Sequence, residues 1–342
     1  APTYQILRDV RTAASTAALH EPVETLSVAD ASRVIATPLF QSQKSSVSRM
    51  LALEHGNTHP VLRRGYMAVR YNEHEVCLSN NDIFVDVKDA YHPVTIRGGY
   101  HMDQMGTGKT LCLLTVCELN TNIAPATGAS TDTSIDPPAT HLGAFSRPRG
   151  TLIICPAQVV MHWKAEIQKH IRARRSILIL ATRRDLEITY ADICAVDYVI
   201  VSFNLFANPI TREFLDHYST THAFSVRCLA RTDELRRTPR DELAKQRAPF
   251  LYYFQWPRII VDEFHEIDIA AGGFLRESVM CMRGDVKWMV SGSPFVNVAT
   301  AIRNVSTFMW PRSYPSYQFA IAVATHFVKS PQIERPQLPK IS

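Results

Sequence analysis

The sequence lacks the signatures of several protein classes. Its seven cysteines are scattered, odd in number and never spaced C-x-x-C, which argues against a disulfide framework or a zinc module and indicates a reducing compartment. No apolar run approaches the roughly 18 residues of a membrane-spanning helix. Residues 1–20 lack the apolar centre of a secretory signal. We therefore expect a globular protein of a reducing compartment with no membrane partner.

The chain also lacks a strong charge of either sign. Lys and Arg number 37 against 32 Asp and Glu, so the formal net charge of +5 indicates an anionic partner only weakly. Its 342 residues, 46% of them hydrophobic, suffice for one large domain or two ordinary ones with a sizeable core. The chain begins at Ala1, which fits either removal of an initiator Met or a piece of a longer protein.

Short apolar runs alternate with helical patterns. Five β-branched runs have strand length, namely TLIIC (151–155), SILIL (176–180), YVIVS (198–202), RIIVD (258–262) and WMVSG (288–292). Between the first two, residues 158–175 show helical spacing and a basic C-terminal end. Strand, helix and strand recur, which predicts an α/β fold with a central, mainly parallel sheet flanked by helices. Two stretches, 120–150 and 227–248, are predicted to be surface insertions with little fixed structure.

Residues 98–110, GGYHMDQMGTGKT, predict a phosphate-binding loop. The general pattern G-x-x-x-x-G-K-[ST] requires glycine where this chain has Asp103. Gly106 and Gly108 still free the backbone to turn N–H groups toward phosphates, while Lys109 reaches the terminal phosphates and the Thr110 hydroxyl can hold Mg²⁺. The apolar helix that follows points its N-terminus at the anion. The predicted ATP-binding residues of the loop are Met105, Gly106, Thr107, Gly108, Lys109 and Thr110.

A pair of carboxylates far downstream supports this interpretation. Asp262 and Glu263 end an apolar strand in RIIVDEFHEI, the position from which acidic residues meet a bound Mg-nucleotide at the carboxyl edge of a sheet. There Asp262 acts on the Mg²⁺ shell and Glu263 polarises the attacking water. A chance G-x-G-K-T turn and a solvated acidic turn explain each motif singly. Together the two motifs favour hydrolysis of a nucleoside triphosphate.

The loop DQMGTGKT (103–110) resembles the D-E-M-G-x-G-K-T loop of Swi/Snf-type DNA translocases among the superfamily-two helicases, in which an acidic residue belongs at the place of Asp103. Four further blocks follow in the family's order: TLIICPAQVVMHWKAEIQKHI (151–171) resembles motif Ia, DYVIVSFNLFA (197–207) motif Ib, VDEFHEI (261–267) the DEAH box and VSGSPFVN (290–297) motif III. The entry to the box is most similar to the branch with the RING-bearing post-replication-repair translocases. The resemblance implies a RecA-like ATPase lobe.

The resemblance also implies roles for individual residues. Gln43, within TPLFQSQKSSVSRMLALEH (37–55), takes the place of an adenine-reading glutamine, and His265 relays the nucleotide state to motif III. The catalytic residues are then Lys109, Asp262, Glu263 and His265, and the coupling residues are Ser291, Gly292 and Ser293. The resemblance implies contacts with the backbone of double-stranded DNA by Pro156, Gln158, Trp163, Lys164, Ser202 and Phe203. Trp163 also fits a core position on its helix, and Lys164 fits a solvated charge.

Departures from the family pattern leave two functions open. Gln104 replaces the usual Glu, Phe264 replaces the Ala of the box, and Ser291 and Ser293 replace threonines. The chain is predicted to comprise an N-terminal extension (1–34), one lobe (35–315) and a tail (316–342).

No arginine-finger motif follows Val305, so a second RecA-like lobe is expected in cis or in trans. The first function is an ATP-driven DNA translocase lobe of a remodelling, repair or viral transcription machine. The second is a non-catalytic scaffold, while a small-molecule P-loop kinase is disfavoured by motifs Ia, Ib and III. A nuclear location is predicted, or a viral factory or virion if the protein is viral.

Overall fold

The computed structural model describes most of the predicted lobe. The described residues are 28–62, 66–71, 74–79, 84–85, 91–124, 147–207, 224–269, 274–292, 298–309 and 327–328. Within these ranges the strands form one seven-stranded sheet, one three-stranded sheet and one two-stranded sheet. Ser293 and residues 125–146 of the predicted insertion 120–150 lie outside the described residues, as does most of the predicted extension and tail.

In chain order, the strands of the two small sheets come before the first strand of the central sheet. Their strands are β1 (Asn57–Leu62), β2 (Tyr66–Tyr71), β3 (His74–Ser79), β4 (Phe84–Val85) and β5 (Tyr91–Ile96). β1 pairs antiparallel with β5, while β2, β3 and β4 form the antiparallel three-stranded sheet. These strands were not predicted from the sequence, because charged residues and prolines interrupt their apolar patterns.

The seven-stranded sheet confirms the predicted α/β class. Its strands are β6 (Gly98–Met102), β7 (Thr151–Cys155), β8 (Ile177–Leu180), β9 (Tyr198–Ser202), β10 (Trp256–Val261), β11 (Gly284–Ser291) and β12 (Phe327–Val328). Their spatial order is β12-β6-β11-β10-β7-β9-β8, and every neighbouring pair is parallel. The carboxyl ends of all seven strands therefore meet at one edge of the sheet.

Helices connect the parallel strands, as crossovers between them require. They are α1 (Val28–Val34), α2 (Gln41–His55), α3 (Lys109–Leu119), α4 (Val160–His170), α5 (Tyr190–Ala195), α6 (Phe203–Ala207), α7 (Phe224–Arg237), α8 (Arg240–Lys245), α9 (His265–Ile269), α10 (Phe274–Met280) and α11 (Val298–Met309). Helix α3 is buried on nearly all sides, which explains its almost unbroken apolar sequence. None of the helices in the described part of the chain is long and apolar enough to cross a bilayer.

The core lies on both faces of the central sheet. Alternate side chains of each strand point to opposite faces, so Leu152 and Ile154 join one hydrophobic cluster while Ile153 and Cys155 join the other. All five residues of β7 are buried. A strand buried on both faces has no solvent-facing positions, which is why β7 reads as a continuous apolar run rather than an alternating one.

Two predicted boundaries are corrected by the structure. Residues 227–248 were expected to have little fixed structure, but they contain most of α7 and all of α8. Leu235 and Leu243 are buried in the core, and that apolar anchoring stabilises helices whose other faces carry the mixed charges. Beyond the predicted lobe end at residue 315, β12 pairs with β6, so the central sheet extends to residues 327–328.

Candidate nucleotide-binding site

The predicted phosphate loop connects β6 to α3. Gly106 and Gly108 have φ angles of 80° and 84°, in the left-handed region that favours glycine. Asp103 is not among the described non-glycine residues with positive φ, so the backbone there does not need the glycine of the general pattern. Gly108 is the N-cap of α3, so the loop ends where unpaired backbone N–H groups of the helix begin.

The loop is closed on itself by Lys109. Its ammonium group donates to the carbonyl oxygens of Asp103 at 2.9 Å and Gln104 at 3.0 Å. The Thr107 hydroxyl also donates to the Gln104 carbonyl, at 2.9 Å. The lysine thus occupies the hollow of the loop, with backbone carbonyls as its acceptors and a strong positive charge within the turn.

Gln43 supports the loop from the side of α2. Its amide Nε2 donates to the Thr107 carbonyl at 2.9 Å, and its Oε1 accepts from the Phe40 backbone N–H at 2.9 Å. A Cβ atom at position 108 would lie only 2.4 Å from Gln43 Nε2, so glycine there makes the approach possible. The structure therefore brings Gln43 to the loop through a contact that the sequence alone did not indicate. Its adenine-reading role stays a prediction.

Asp262 and Glu263 follow the carboxyl end of β10, two strands away from the loop's strand β6. The Asp262 backbone N–H extends the ladder to β7 by donating to Ile154. Glu263 has a φ angle of 48°, which is strained for a residue with a long side chain. Strained backbone of this kind clusters at functional sites, where surrounding contacts enforce it.

Both oxygens of the Asp262 carboxylate accept hydrogen bonds from the protein. The Trp163 indole N–H donates to Oδ2 at 2.9 Å, and the Glu263 backbone N–H donates to Oδ1 at 2.9 Å. Burial raises the pKa of Asp262, whereas the bond from Trp163 and the nearby charge of Lys109 act in the opposite direction. Lys109 of the loop therefore lies near enough to Asp262 to act on its pKa.

Two motif III residues also reach this site. His265 Nδ1 lies 2.8 Å from the Ser291 hydroxyl, and the same nitrogen lies 3.3 Å from Glu263 Oε2. A Cβ atom at Gly292 would lie 3.2 Å from the Met105 side chain and 3.3 Å from Lys109 Nζ. The predicted coupling residues Ser291 and Gly292 thus connect the acidic pair with the loop.

Phe264, the departure from the DEAH pattern, belongs to the core. It is 1% exposed, and its ring packs edge-on against Tyr100 and obliquely against Phe308, with centroid separations of 6.1 and 5.8 Å. Its backbone N–H donates to Val290 and so joins the end of β10 to β11. The bulkier side chain therefore fills space beneath the site and leaves Glu263 and His265 in place.

The oxygen ligands present fit a magnesium ion that is bound together with phosphates. Within the described residues no group of three or more His, Cys, Asp or Glu side chains could hold a metal alone. Mg²⁺ is usually held by one or two protein ligands plus phosphates and water, which suits Asp262 and the Thr110 hydroxyl. Glu263 Oε2 is buried without a hydrogen bond in the described part of the chain, and it offers an acceptor to a water molecule.

A buried ion pair anchors α2 to β10. Arg258 donates to both oxygens of Glu54 at 2.6 Å, while Trp288 and Asn120 donate to the same carboxylate at 2.8 and 2.7 Å. Burial disfavours the charged Arg258, but the Glu54 carboxylate outweighs this effect and the pKa of Arg258 is raised. The helix that carries Gln43 is therefore fixed to the strand that carries Asp262. The pair could not be predicted from the sequence, because a lone Glu and a lone Arg show no pattern.

The structure divides the predicted DNA-contacting residues. Gln158 is exposed and Lys164 is half-buried at the start of α4. The side chains of Pro156, Trp163, Ser202 and Phe203 are buried. A contact with the DNA backbone at these positions would therefore come from main-chain groups, and it stays a prediction. The Ser202 hydroxyl instead donates to the Ala181 carbonyl at 3.0 Å, and Trp163 donates to Asp262. Apolar helix spacing had already allowed a core position for Trp163.

A family model described as SNF2-related domain matches residues 42–327. The chain belongs to this family. The resemblance drawn from the five sequence blocks is thereby confirmed, and the SNF2-related match, like β12, extends past residue 315.

Among related proteins, DNA repair protein RAD5 of Candida albicans is 26% identical over 216 residues, which cover 63% of this chain and 17% of that protein. Transcription termination factor 2 of Drosophila melanogaster is 22% identical over 216 residues, covering 59% of this chain and 17% of that protein. The SNF2-related chain thus spans less than a fifth of the length of these relatives.

Two solved structures are also similar. A Sulfolobus solfataricus SWI2/SNF2 ATPase core domain has a TM-score of 0.47 at 14% identity, with 90% of this chain and 46% of that chain covered. A Sulfolobus solfataricus SWI2/SNF2 ATPase core in complex with dsDNA has a TM-score of 0.38 at 17% identity, with 66% and 34% covered.

Proposed function

We propose that this chain is the ATP-binding lobe of an SNF2-type, DNA-dependent ATPase that translocates on double-stranded DNA. The observation that carries the proposal is the convergence of the phosphate loop, Gln43, the Asp262–Glu263 pair and Gly292 at one edge of the parallel sheet. Ligands of open α/β sheets bind outside the carboxyl ends of the strands, where all of these residues lie.

Nucleotide binding requires Lys109 to exchange its partners. In the structure its ammonium group is bonded to the Asp103 and Gln104 carbonyls, and phosphate oxygens replace these acceptors when ATP enters the loop. The backbone N–H groups at the start of α3 then donate to the phosphates. Thr110 and Asp262 would hold the accompanying Mg²⁺, which neutralises phosphate charge when bound.

Glu263 would orient the attacking water. Its buried Oε2 makes no hydrogen bond within the described residues and can accept one from the water. His265 lies 3.3 Å from that oxygen and bonds to Ser291, so a change at Glu263 is transmitted to motif III. The geometry supports hydrolysis that is coupled to movement of motif III.

Double-stranded DNA is the proposed track. Proteins named for DNA repair are among the relatives that share the SNF2-related domain. Contacts by Gln158 and Lys164 with phosphates would be independent of base sequence, as a translocase requires. The predicted nuclear or viral location stays a prediction.

A scaffold function without hydrolysis was the alternative suggested by Phe264 in the box. The packing of Phe264 against Tyr100 and Phe308 gives that residue a structural reason and so weakens the alternative. A second RecA-like lobe, in cis or in trans, would supply an arginine finger, which is typically worth about 10³-fold or more in rate.

The ATPase activity of the isolated chain tests this proposal. We expect very slow hydrolysis that duplex DNA stimulates little, and a large increase when a second lobe from a relative or from a longer reading frame is joined to it. Glu263→Gln should abolish that increase. Fast DNA-stimulated turnover by the isolated chain would contradict the need for a second lobe, and a joined protein without turnover would favour the scaffold.

A further inference from the structure

The Trp163 side chain is a buried indole whose hydrogen-bond acceptor is a carboxylate, as is that of Trp288. It projects from the inner face of α4, is 1% exposed, and directs its N–H to Asp262, which directly follows β10. A buried indole N–H needs an acceptor, and a backbone carbonyl is the ordinary choice. Trp256 makes such a bond, with its Nε1 3.4 Å from the Leu251 carbonyl. Trp163 instead uses the carboxylate proposed to hold magnesium.

The two hydrogen bonds on Asp262 restrict its rotation. A carboxylate turns easily about its terminal bond, because that torsion has broad minima. Trp163 holds Oδ2 and the Glu263 backbone holds Oδ1, so the plane of the group is fixed by donors on two separate elements. Indole is a donor only and does not titrate near neutral pH, so it cannot compete with the carboxylate for the metal.

We propose that Trp163 is a positioning residue for the nucleotide-bound magnesium, because its indole N–H holds the Asp262 carboxylate in one orientation. The inference rests on the proposed function, since it requires Asp262 to act on Mg²⁺. Groups that orient a metal ligand by hydrogen bonding typically change metal affinity by about 10- to 100-fold when they are mutated. Trp163 therefore links the α4 helix, first assigned to DNA, with the metal side of the nucleotide site.

The test is nucleotide binding by calorimetry with Mg²⁺ and with EDTA, which gives the factor by which magnesium strengthens ATP affinity. Trp163→Phe should reduce that factor by about 10-fold and leave the affinity in EDTA unchanged. Trp256→Phe is the matched control, since it also removes a buried indole N–H but at the opposite end of β10, and it should keep the wild-type factor. Circular dichroism checks the fold of each variant.

A double-mutant cycle separates positioning from packing. In an Asp262→Ala background, Trp163→Phe should cause no further loss of the magnesium effect, because the carboxylate it acts through is gone. If Trp163→Phe does not fold, 3-benzothienylalanine at position 163 removes the N–H while keeping the ring shape. An unchanged magnesium factor, an equal loss in Mg²⁺ and EDTA, or additive losses in the cycle would overturn the inference and leave the proposed function standing. A wild-type chain whose ATP affinity is indifferent to magnesium would overturn both.

Discussion

At the scale of single residues, Phe264 departs from the family pattern, which has alanine at this position of the DEAH box. Alanine at this position would leave space between Tyr100 and Phe308, whose rings both contact the phenylalanine. The substitution is therefore explained by the core beneath the site. It does not alter the backbone bond to Val290 that holds the box against β11.

We predict that Phe264→Ala, although it restores the family pattern, lowers the free energy of unfolding by about 3–5 kcal/mol, since it creates a cavity in the core. Urea denaturation followed by circular dichroism measures this change. Phe40→Ala serves as the control, because Phe40 is 72% exposed and its loss should cost far less. A Phe264→Ala protein as stable as the wild type would show that the ring is not required for packing.

The residues of the phosphate loop and the acidic pair were predictable because their chemistry imposes spacing. Glycines with positive φ, a lysine and a hydroxyl must follow one another in the loop, so the sequence carries the pattern GTGKT. The bond between Trp163 and Asp262 could not be predicted, since it joins residues 99 positions apart and any buried indole needs some acceptor. For the same reason, Trp163 was predicted to contact DNA.

At the scale of elements, the buried pair Glu54–Arg258 determines how α2 lies against β10. Both side chains are almost fully buried, at 0% and 2% exposure. Charges removed from water are costly unless their hydrogen bonds are complete, and here Trp288, Asn120 and Thr151 complete them. Helix α2 is only weakly amphipathic, and the pair gives it one defined position over the sheet.

We expect Glu54→Ala to lower the free energy of unfolding by about 3–5 kcal/mol, because it leaves Arg258 buried and uncompensated. Thermal and urea unfolding measure the effect. The pair Arg231–Glu234, with an N–O distance of 2.8 Å and an exposed glutamate, provides the control, and Glu234→Ala should change stability by about 1 kcal/mol or less. Equal effects at the two sites would refute the structural importance of the buried pair.

The basic end of the segment 158–175 contains His170, Arg172, Arg174 and Arg175, and the structure shows which of them contact other parts of the protein. His170 contacts Thr37 and Glu166, Arg172 donates to the Ser32 carbonyl, and Arg175 pairs with Glu118. Arg174 is exposed. Most of these basic groups therefore hold α4 to its neighbours, which a charge pattern in the sequence cannot distinguish from a DNA-binding cluster.

For DNA we predict that Lys164→Ala and Arg174→Ala each weaken duplex binding without changing sequence preference, and each lowers the salt slope by about one. Fluorescence anisotropy over a range of salt concentrations measures both quantities. Arg237→Ala, at an exposed arginine that ends α7, is the matched control and should leave the slope unchanged. If all three variants bind like the wild type, residues 151–175 are not the DNA-binding face.

At the scale of the whole molecule, the fold class was predictable and the lobe's limits were not. All five predicted strands lie in the central sheet, since buried parallel strands leave continuous apolar runs in the sequence. β6 was not predicted because it begins with two glycines, which show no strand pattern. Glycine is needed at position 98, since a Cβ atom there would lie 2.1 Å from the Lys287 carbonyl oxygen. The two-residue strand β12 is too short for any pattern.

The central claim is that the loop and Asp262 bind Mg-ATP at the carboxyl edge of the central sheet. Isothermal titration calorimetry of the wild-type chain and of Lys109→Ala tests it most directly. We predict that the wild type binds Mg-ATP and that Lys109→Ala removes detectable binding, because the loop then lacks the cation that meets the terminal phosphates. Equal affinity of the wild type and Lys109→Ala, or no binding by either, would contradict the claim.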